Sequence, residues 1–322
     1  MGHLHRGEEP DGAAAPPPPA AFTLRRSLLY VPGNMPSMLQ NIPIFAADAV
    51  IIDLEDAVPL GEKDAARRLV RRFLETYRER RQEVLVRINA LDTPWGRDDL
   101  AAVLPALPDG IRLPKADTPE IVERLDTLLT EHEEALGVEI GRFRILPSIE
   151  SALGVINCID VAATSARILG LAFGAEDYTA SMEIERTKTG EELFNARSRV
   201  VWAAKAAGVQ AIDSIFSDVK DMEAFRREVE LVKGLGYTGK SLVNPRQIEV
   251  CHDVFAPKAA EIEYALQVVD AIRRAREMGT GVISLGGKMV DAPVVKRALR
   301  VLRTAHAHGL VEAAPDEAVL HG

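Results

Sequence analysis

The sequence predicts a (β/α)₈ barrel, because eight apolar β-type runs alternate with helix-like stretches and nearly every run ends in a polar residue. Strands that alternate with helices form parallel sheets, and eight such units suffice to close a barrel. The predicted strands are Ser27–Pro32, Ala49–Asp56, Glu83–Asn89, Gly110–Lys115, Phe143–Glu150, Arg167–Gly174, Gln210–Ser217 and Lys240–Pro245.

Helical stretches fill the gaps between the runs. They include Glu62–Arg81, Thr118–Leu136, Glu191–Gly208 and Asp221–Leu235. Pro119 suits a first helical turn, and Gly208 and Gly236 suit helix C-termini. The alternative is an open doubly wound sheet, which favours a glycine-rich phosphate loop after the first strand. Here that turn, residues 32–36, reads PGNMP without a G-x-G-x-x-G pattern, so the barrel is preferred.

Composition shifts predict three segments: a leader at 1–22, a catalytic barrel at 23–256 and a C-terminal segment at 257–322. The leader contains a run of prolines and no apolar signal-peptide core. The C-terminal segment has two helical patterns, Ala259–Met278 and Pro293–Ala307, around a glycine-containing loop. This pattern fits an arm or lid and equally fits a helical pair packed on the barrel.

Bulk properties exclude several classes of protein. The 322 residues carry a net charge of −9, which argues against a broad nucleic-acid-binding face. No apolar run approaches the length of a membrane span. Only Cys158 and Cys251 occur, without metal-ligand spacing, so we expect a reduced, cytoplasmic protein.

Glu150 and Asp177 end two successive strand-like runs and are the most informative residues. Because parallel strands open on the same rim of a barrel, we expect the two acids to lie close together. Their charges repel unless a cation lies between them, and oxygen ligands of this kind suit Mg²⁺. The pair therefore predicts a magnesium enzyme acting on a small oxyanion substrate.

Other polar residues at strand ends are candidates for the same rim, although strand ends meet water and are often polar in any protein. They are Asp53, Glu55, Asp56, Arg87, Asn89, Lys115, Asp213 and Asn244.

Eight motifs in order then identify a resemblance that covers residues 25 to about 305. The chain closely resembles the citrate lyase beta-subunit family, within the HpcH/HpaI aldolase and malyl-CoA/citramalyl-CoA lyase superfamily. The resemblance implies a Mg²⁺-dependent barrel that cleaves or forms a carbon–carbon bond beside a thioester. The motifs are Arg25–Asn34 (RRSLLYVPGN), Val50–Val58 (VIIDLEDAV), Val86–Asn89 (VRIN), Arg112–Lys115 (RLPK), Ser148–Ser151 (SIES), Gly174–Tyr178 (GAEDY), Gly239–Gln247 (GKSLVNPRQ) and Gly287–Val295 (GKMVDAPVV).

The resemblance also implies roles for particular residues. Glu150 and Asp177 match the family's metal ligands, and Glu150 lies against the substrate. Arg87 matches an arginine that binds a substrate carboxylate, for which a planar two-point contact is expected. Asp291 matches an acid that reaches a neighbouring subunit's site in some relatives. The positions that line the thioester tunnel in relatives match Tyr30, Val243 and Asn244.

Three further residues have alternative interpretations. Glu55 and Asp56 are candidates for holding Arg87 and metal-bound water, and equally for an acid cluster at a helix N-terminus. Lys115 is a candidate substrate contact. It is also the residue that a metal-free aldolase would use to form a Schiff base with a ketone, the less favoured alternative.

The implied reaction is cleavage of a citryl thioester to oxaloacetate and an acetyl thioester. The implied partners are the acyl carrier (gamma) and acyltransferase (alpha) subunits of citrate lyase, in a homo-oligomer that is trimeric in relatives. Residues 35–41 (MPSMLQN) carry no cation for CoA phosphates, which favours a carrier protein over free CoA. The alternatives are a citramalyl-CoA or malyl-CoA lyase, and a partner-binding subunit without lyase activity.

Overall fold

A computed structural model describes residues 23–277, 283–285 and 288–315. Eight parallel strands close into a barrel in chain order, β1 to β8, with β8 beside β1. The predicted barrel is thus confirmed, and the predicted leader lies outside the described residues. The strands are β1 Ser27–Pro32, β2 Ala49–Asp53, β3 Glu83–Arg87, β4 Gly110–Leu113, β5 Arg144–Ile149, β6 Gly170–Phe173, β7 Gln210–Asp213 and β8 Gly239–Leu242.

Nine helices follow or connect these strands within the described part of the barrel. Gly236 ends the eighth in the left-handed conformation, with φ of 109°, which glycine adopts without a side-chain clash. The helices are α1 Pro36–Leu39, α2 Lys63–Thr76, α3 Gly96–Val103, α4 Pro119–Leu136, α5 Ala152–Ala163, α6 Ala175–Ser181, α7 Phe194–Ala206, α8 Met222–Leu235 and α9 Arg246–Phe255.

Side chains on each strand alternate between the barrel interior and the helix layer. Leu28, Ile51, Leu85 and Ile212 belong to the interior cluster. Neighbouring strand residues of the opposite parity, such as Val50, join the larger apolar layer between strands and helices. The interior below the strand ends is therefore filled, and the space for a ligand lies above it.

Strand register brings three charged side chains to one level. Asp53 on β2 pairs with Arg87 on β3, and Arg87 pairs with Arg112 on β4. Because directly paired residues of parallel strands point to the same face, all three side chains face the barrel interior.

Asp213 does not belong to the rim, and the prediction that placed it there was wrong. Ile212 faces the barrel interior, so the next residue of β7 faces the helices. The fully buried Asp213 accepts hydrogen bonds from Arg197 Nε at 2.9 Å and from Lys240 Nζ. Lys240 also donates to Glu228 at 2.6 Å. We call Arg197, Asp213, Glu228 and Lys240 the outer charge cluster.

The barrel closes where β8 lies beside β1. Ser27 pairs with Lys240 and Leu29 with Leu242. A Cβ atom added to Gly239 would lie 1.7 Å from the carbonyl oxygen of Arg25. Only a residue without a side chain fits at this point of the seam.

The chain divides into two units between Ala259 and Ala260. The second unit contains α10 (Ala259–Glu277, whose first residue lies before the division), the antiparallel strands β9 (Ile283–Leu285) and β10 (Lys288–Val290), and α11 (Ala292–Ala307). Its own apolar core includes Val268 and Leu299. Among the described residues, no helix has the length and apolar character needed to cross a membrane.

Candidate active site

A cavity of about 510 Å³ opens at the C-terminal ends of the strands, where barrel enzymes place their active sites. It contains acids, two arginines and apolar side chains together, as small-molecule sites usually do. Its lining consists of Tyr30, Pro32, Met38, Asp53, Asp56, Ala57, Arg87, Arg112, Glu150, Phe173, Gly174, Ala175, Glu176, Asp177, Ser214, Ile215, Ser241 and Val243.

Glu150 follows β5 and is buried, with 5% of its surface exposed. Its Oε1 accepts a hydrogen bond from the backbone N–H of Lys115 at 2.7 Å. Burial and then the nearby charge of Asp177 raise the pKa of Glu150 to about 7. Gly174 follows the neighbouring strand β6, and a Cβ atom at this position would lie 2.8 Å from Oε2 of Glu150. The Glu150 carboxylate can therefore adopt its position only because residue 174 is glycine.

Asp177 lies in the first turn of α6, directly after β6. Burial raises its pKa, and the charge of Asp56 adds to the increase. Asp177 and Glu150 thus line one cavity, and the charge of Asp177 disfavours the charged form of Glu150. Across the described ranges, no three or more His, Cys, Asp and Glu side chains group as potential metal ligands. A cation here would have these two carboxylates and would draw its other ligands from water and substrate.

Arg87 is surrounded by acids. Its Nε and Nη2 donate to the two carboxylate oxygens of Asp53, both at 2.7 Å. Its Nη1 lies 3.1 Å from Glu55 and from Asp56, and its guanidinium carbon lies 5.0 Å from the centre of the Tyr30 ring. The two-point contact expected for a substrate carboxylate is therefore occupied by Asp53, because strand register places Asp53 directly beside Arg87.

The pKa values of two acids beside Arg87, Asp53 and Glu55, are shifted in opposite directions. Burial acts to raise the pKa of Asp53, but hydrogen bonds and charge from Arg87 outweigh it and lower the pKa. Glu55 lacks such a two-point bond, and burial raises its pKa to about 8 despite the charge of Arg87. Glu55 and Asp56 both hold Arg87, one of the two roles considered for them.

The remaining candidates differ in position. Tyr30 and Val243 line the cavity. Asn244 instead accepts a hydrogen bond from the backbone N–H of Arg246 and stabilises the turn before α9. The Lys115 side chain is exposed, and the residue adopts φ of 49°, which directs its backbone N–H to Glu150. Asn89 is buried, and its Nδ2 donates hydrogen bonds to Asp99 Oδ2 at 2.6 Å and to the carbonyl oxygen of Leu54. It therefore stabilises the loops that follow β2 and β3. The residues that line the cavity do not include Lys115, Asn244 or Asn89.

The barrel and its site match a known family profile, HpcH/HpaI aldolase/citrate lyase, over residues 26–245. The chain belongs to this family. It is 47% identical over 289 residues to citrate lyase subunit beta of Leuconostoc mesenteroides subsp. cremoris, covering 90% of this chain and 96% of that protein. It is 44% identical to citrate lyase subunit beta of Escherichia coli strain K12, covering 89% and 95%. It is 31% identical to the mitochondrial citramalyl-CoA lyase of Rattus norvegicus, covering 87% and 86%.

A similar solved structure confirms the architecture. The protein CitE from Mycobacterium tuberculosis, in complex with magnesium, acetoacetate and coenzyme A, superposes with a TM-score of 0.72 at 28% identity. The match covers 88% of this chain and 98% of that one. The present chain and that protein share the barrel architecture.

Asp291 belongs to the second unit. Its Oδ1 accepts a hydrogen bond from the backbone N–H of Val294 at 3.1 Å, so it caps the N-terminus of α11.

Two residues that line the cavity have contacts that the sequence does not reveal. The sequence shows that Asp53 is an acid at a strand end, but its pairing with Arg87 depends on strand register. Arg112 lies inside an otherwise apolar run, and the sequence identifies it only as part of the motif Arg112–Lys115. The signal that could have identified it is parity, because Arg112 has the same interior face as Gly110, two residues earlier in β4.

Proposed function

We propose that the chain is the beta subunit of a citrate lyase and cleaves a citryl thioester to oxaloacetate and an acetyl thioester with Mg²⁺. The high identity to citrate lyase beta subunits over most of both chains supports this lyase chemistry. The single observation that carries the metal assignment is the pair Glu150 and Asp177, two acids with raised pKa values on one cavity.

The residues present fit magnesium. Both candidate ligands are carboxylates, the oxygen donors that Mg²⁺ prefers, and few enough to leave positions for substrate. A cation between them offsets the repulsion and burial that raise both pKa values. When bound there, Mg²⁺ supplies positive charge that lowers the pKa of the substrate's hydroxyl group. The Mycobacterium tuberculosis relative was solved in complex with the same metal.

The protein's own residues position the substrate. Transfer of the hydroxyl proton to water drives cleavage of the adjacent carbon–carbon bond, and the acetyl thioester enolate then takes up one proton, so the proton count is unchanged overall. Arg87 provides a fixed positive charge, which Asp53 orients through two hydrogen bonds. A substrate carboxylate reaches Nη1 of Arg87 by replacing the exposed Asp56, while the buried Glu55 remains. We assign Asp291 to proton delivery from a neighbouring subunit's second unit, in a homo-oligomer.

The thioester arm is assigned to the mouth of the cavity. Met38 and Val243 are exposed apolar side chains on its lining, which suit a pantetheine chain. The absence of cations in residues 35–41 favours a phosphopantetheine carried by an acyl carrier (gamma) subunit, with an acyltransferase (alpha) subunit as third partner. Both cysteines are buried free thiols, which supports a reducing, cytoplasmic location.

The experiment is a panel of citryl, citramalyl and malyl thioesters, as CoA and carrier-protein forms, with and without Mg²⁺. Release of the keto acid is the readout. We expect Mg²⁺-dependent oxaloacetate release, and a loss of at least about 100-fold in E150Q and in D177N. The control E120Q makes the same chemical change in an exposed first-turn acid of α4 and should keep full activity.

Other outcomes select the alternatives. A preference for citramalyl-CoA or malyl-CoA identifies a lyase acting on free CoA thioesters. Activity that survives chelator and is lost to borohydride with substrate identifies a Schiff base on Lys115. Inactivity on every thioester together with tight binding of partner subunits identifies a partner-binding role.

A further inference from the structure

Arg112 is a buried cation without an acid. Only 3% of its surface is exposed, and it lines the cavity. Its Nε donates to Ser148 Oγ at 3.1 Å, and its Nη1 donates to Ser241 Oγ at 3.2 Å. Within the described part of the chain, Arg112 forms no salt bridge, and its Nη2 has no hydrogen-bond partner.

The other buried arginines differ in this respect. Arg67 is paired with Asp99, Arg167 with Glu133, and Arg197 with Asp213. Burying a charge is costly unless an opposite charge compensates it. Two hydroxyl groups orient Arg112 but do not neutralise it. The fold thus holds a preorganised guanidinium in the cavity with its charge uncompensated by a direct partner.

The neighbours of Arg112 favour an anion there. Its paired residue on the next strand is Arg87, and like charges in adjacent positions destabilise a sheet. The ring of Tyr30 lies 5.0 Å from one guanidinium carbon and 5.1 Å from the other. Arg87 has three acids within 3.1 Å, whereas no acid of the described residues lies within salt-bridge distance of Arg112.

We propose that Arg112, oriented by Ser148 and Ser241, binds a second carboxylate of the acyl group and selects for citryl thioesters. This inference rests on the proposed function. A citryl group carries a carboxymethyl arm where a citramalyl group carries a methyl group and a malyl group a hydrogen atom. A planar guanidinium matches a carboxylate and gains nothing from a methyl group, so Arg112 discriminates between these substrates. Arg112 is thus a specificity-determining residue, separate from the carboxylate pair and from Arg87.

The test measures kcat/KM of R112M and R112K with citryl-CoA and citramalyl-CoA at saturating Mg²⁺. We expect R112M to lower kcat/KM for the citryl thioester by about 100-fold or more and to change that for the citramalyl thioester by less than about 3-fold. R112K keeps the charge but not the planar fork, and should fall between R112M and wild type. R226M removes a surface arginine that pairs with Asp253 and should leave the selectivity unchanged. Equal losses on both substrates, or no loss on either, overturn the proposal.

A binding measurement separates this inference from the proposed function. Titration calorimetry with Mg²⁺ compares oxaloacetate, which has the extra carboxylate, with pyruvate, which has a methyl group there. Wild type should bind oxaloacetate at least about 10-fold more tightly, and R112M should lose this preference. If wild type cleaves no thioester yet shows this Arg112-dependent preference, the function fails and the subsite stands. If wild type cleaves citryl thioester while R112M keeps the preference for oxaloacetate, the subsite fails and the function stands.

Discussion

Replacing Asp53 with asparagine tests the arrangement that holds Arg87. D53N keeps the size of the side chain and leaves one oxygen for Nε of Arg87. It places an amide NH₂ opposite Nη2, so two donors face each other where a 2.7 Å hydrogen bond now stands. Asp53 is 2% exposed, and water cannot readily replace the lost contact.

The expected cost follows from the remaining partners. Removing one member of a buried ion pair costs about 3–5 kcal/mol. Arg87 keeps Glu55 and Asp56 at 3.1 Å, but Asp56 is exposed, and Glu55, with a pKa of about 8, is mostly protonated at neutral pH. These neighbours compensate only in part, so we expect a loss of about 3 kcal/mol in the free energy of unfolding.

Urea unfolding followed by circular dichroism measures this loss for D53N, R87M and the double variant. The double-mutant cycle should give a coupling energy of about 2 kcal/mol or more. D98N is the matched control, because Asp98 also contacts an arginine at 3.1 Å but its side chain is 66% exposed, and it should change stability by less than about 1 kcal/mol. A D53N protein as stable as D98N would refute the reasoning.

Three further predictions concern other parts of the barrel. G174A should fold but lose the thermal stabilisation by Mg²⁺, because its Cβ would lie 2.7 Å from that of Glu150; G234A, which meets nothing within 4 Å, should keep it. Burial acts to raise the pKa of Glu228, but the cations of the outer charge cluster outweigh it and lower the pKa to about 2. Since this is below the ordinary value of 4.5, the stabilisation is present above about pH 4.5 and disappears towards pH 2. The difference in free energy of unfolding between wild type and E228Q, measured by urea unfolding, should therefore become smaller as the pH falls from about 4.5 towards 2. A difference that stays constant over this pH range would contradict the predicted stabilisation by Glu228. Burial raises the pKa of Cys251 to about 12, so a thiol reagent should label this cysteine only after unfolding, and rapid labelling of the native protein would count against its burial.

The strands could be predicted because a parallel strand buried on both faces is a short, nearly continuous apolar run. The ends of these runs also pointed to the rim. The sequence does not show which face of the sheet the last residue of a strand takes, and the rim position that it predicts for Asp213 is therefore wrong. One residue further, Ser214 lines the cavity.

Strand register explains why other contacts of the candidate site could not be predicted from the sequence. The ion pair of Asp53 with Arg87, and the adjacency of Arg87 and Arg112, arise from strand alignment across long connecting segments. No local pattern encodes that alignment, because it is set by how the helices pack against all eight strands together. Arg112 in particular follows apolar residues and becomes conspicuous only when its partners are known to be serines.

The Gly239 seam has a consequence for how the chain acquires its activity. Tyr30, on the first strand, and Ser241, on the last, both line the cavity. The binding site is thus incomplete until the beginning and the end of the barrel sequence have met. A nascent chain still lacking its last strand has an open cylinder and cannot bind its ligand, so ligand cannot assist folding before closure. A side chain larger than hydrogen at position 239 would hold the barrel at that unfinished stage.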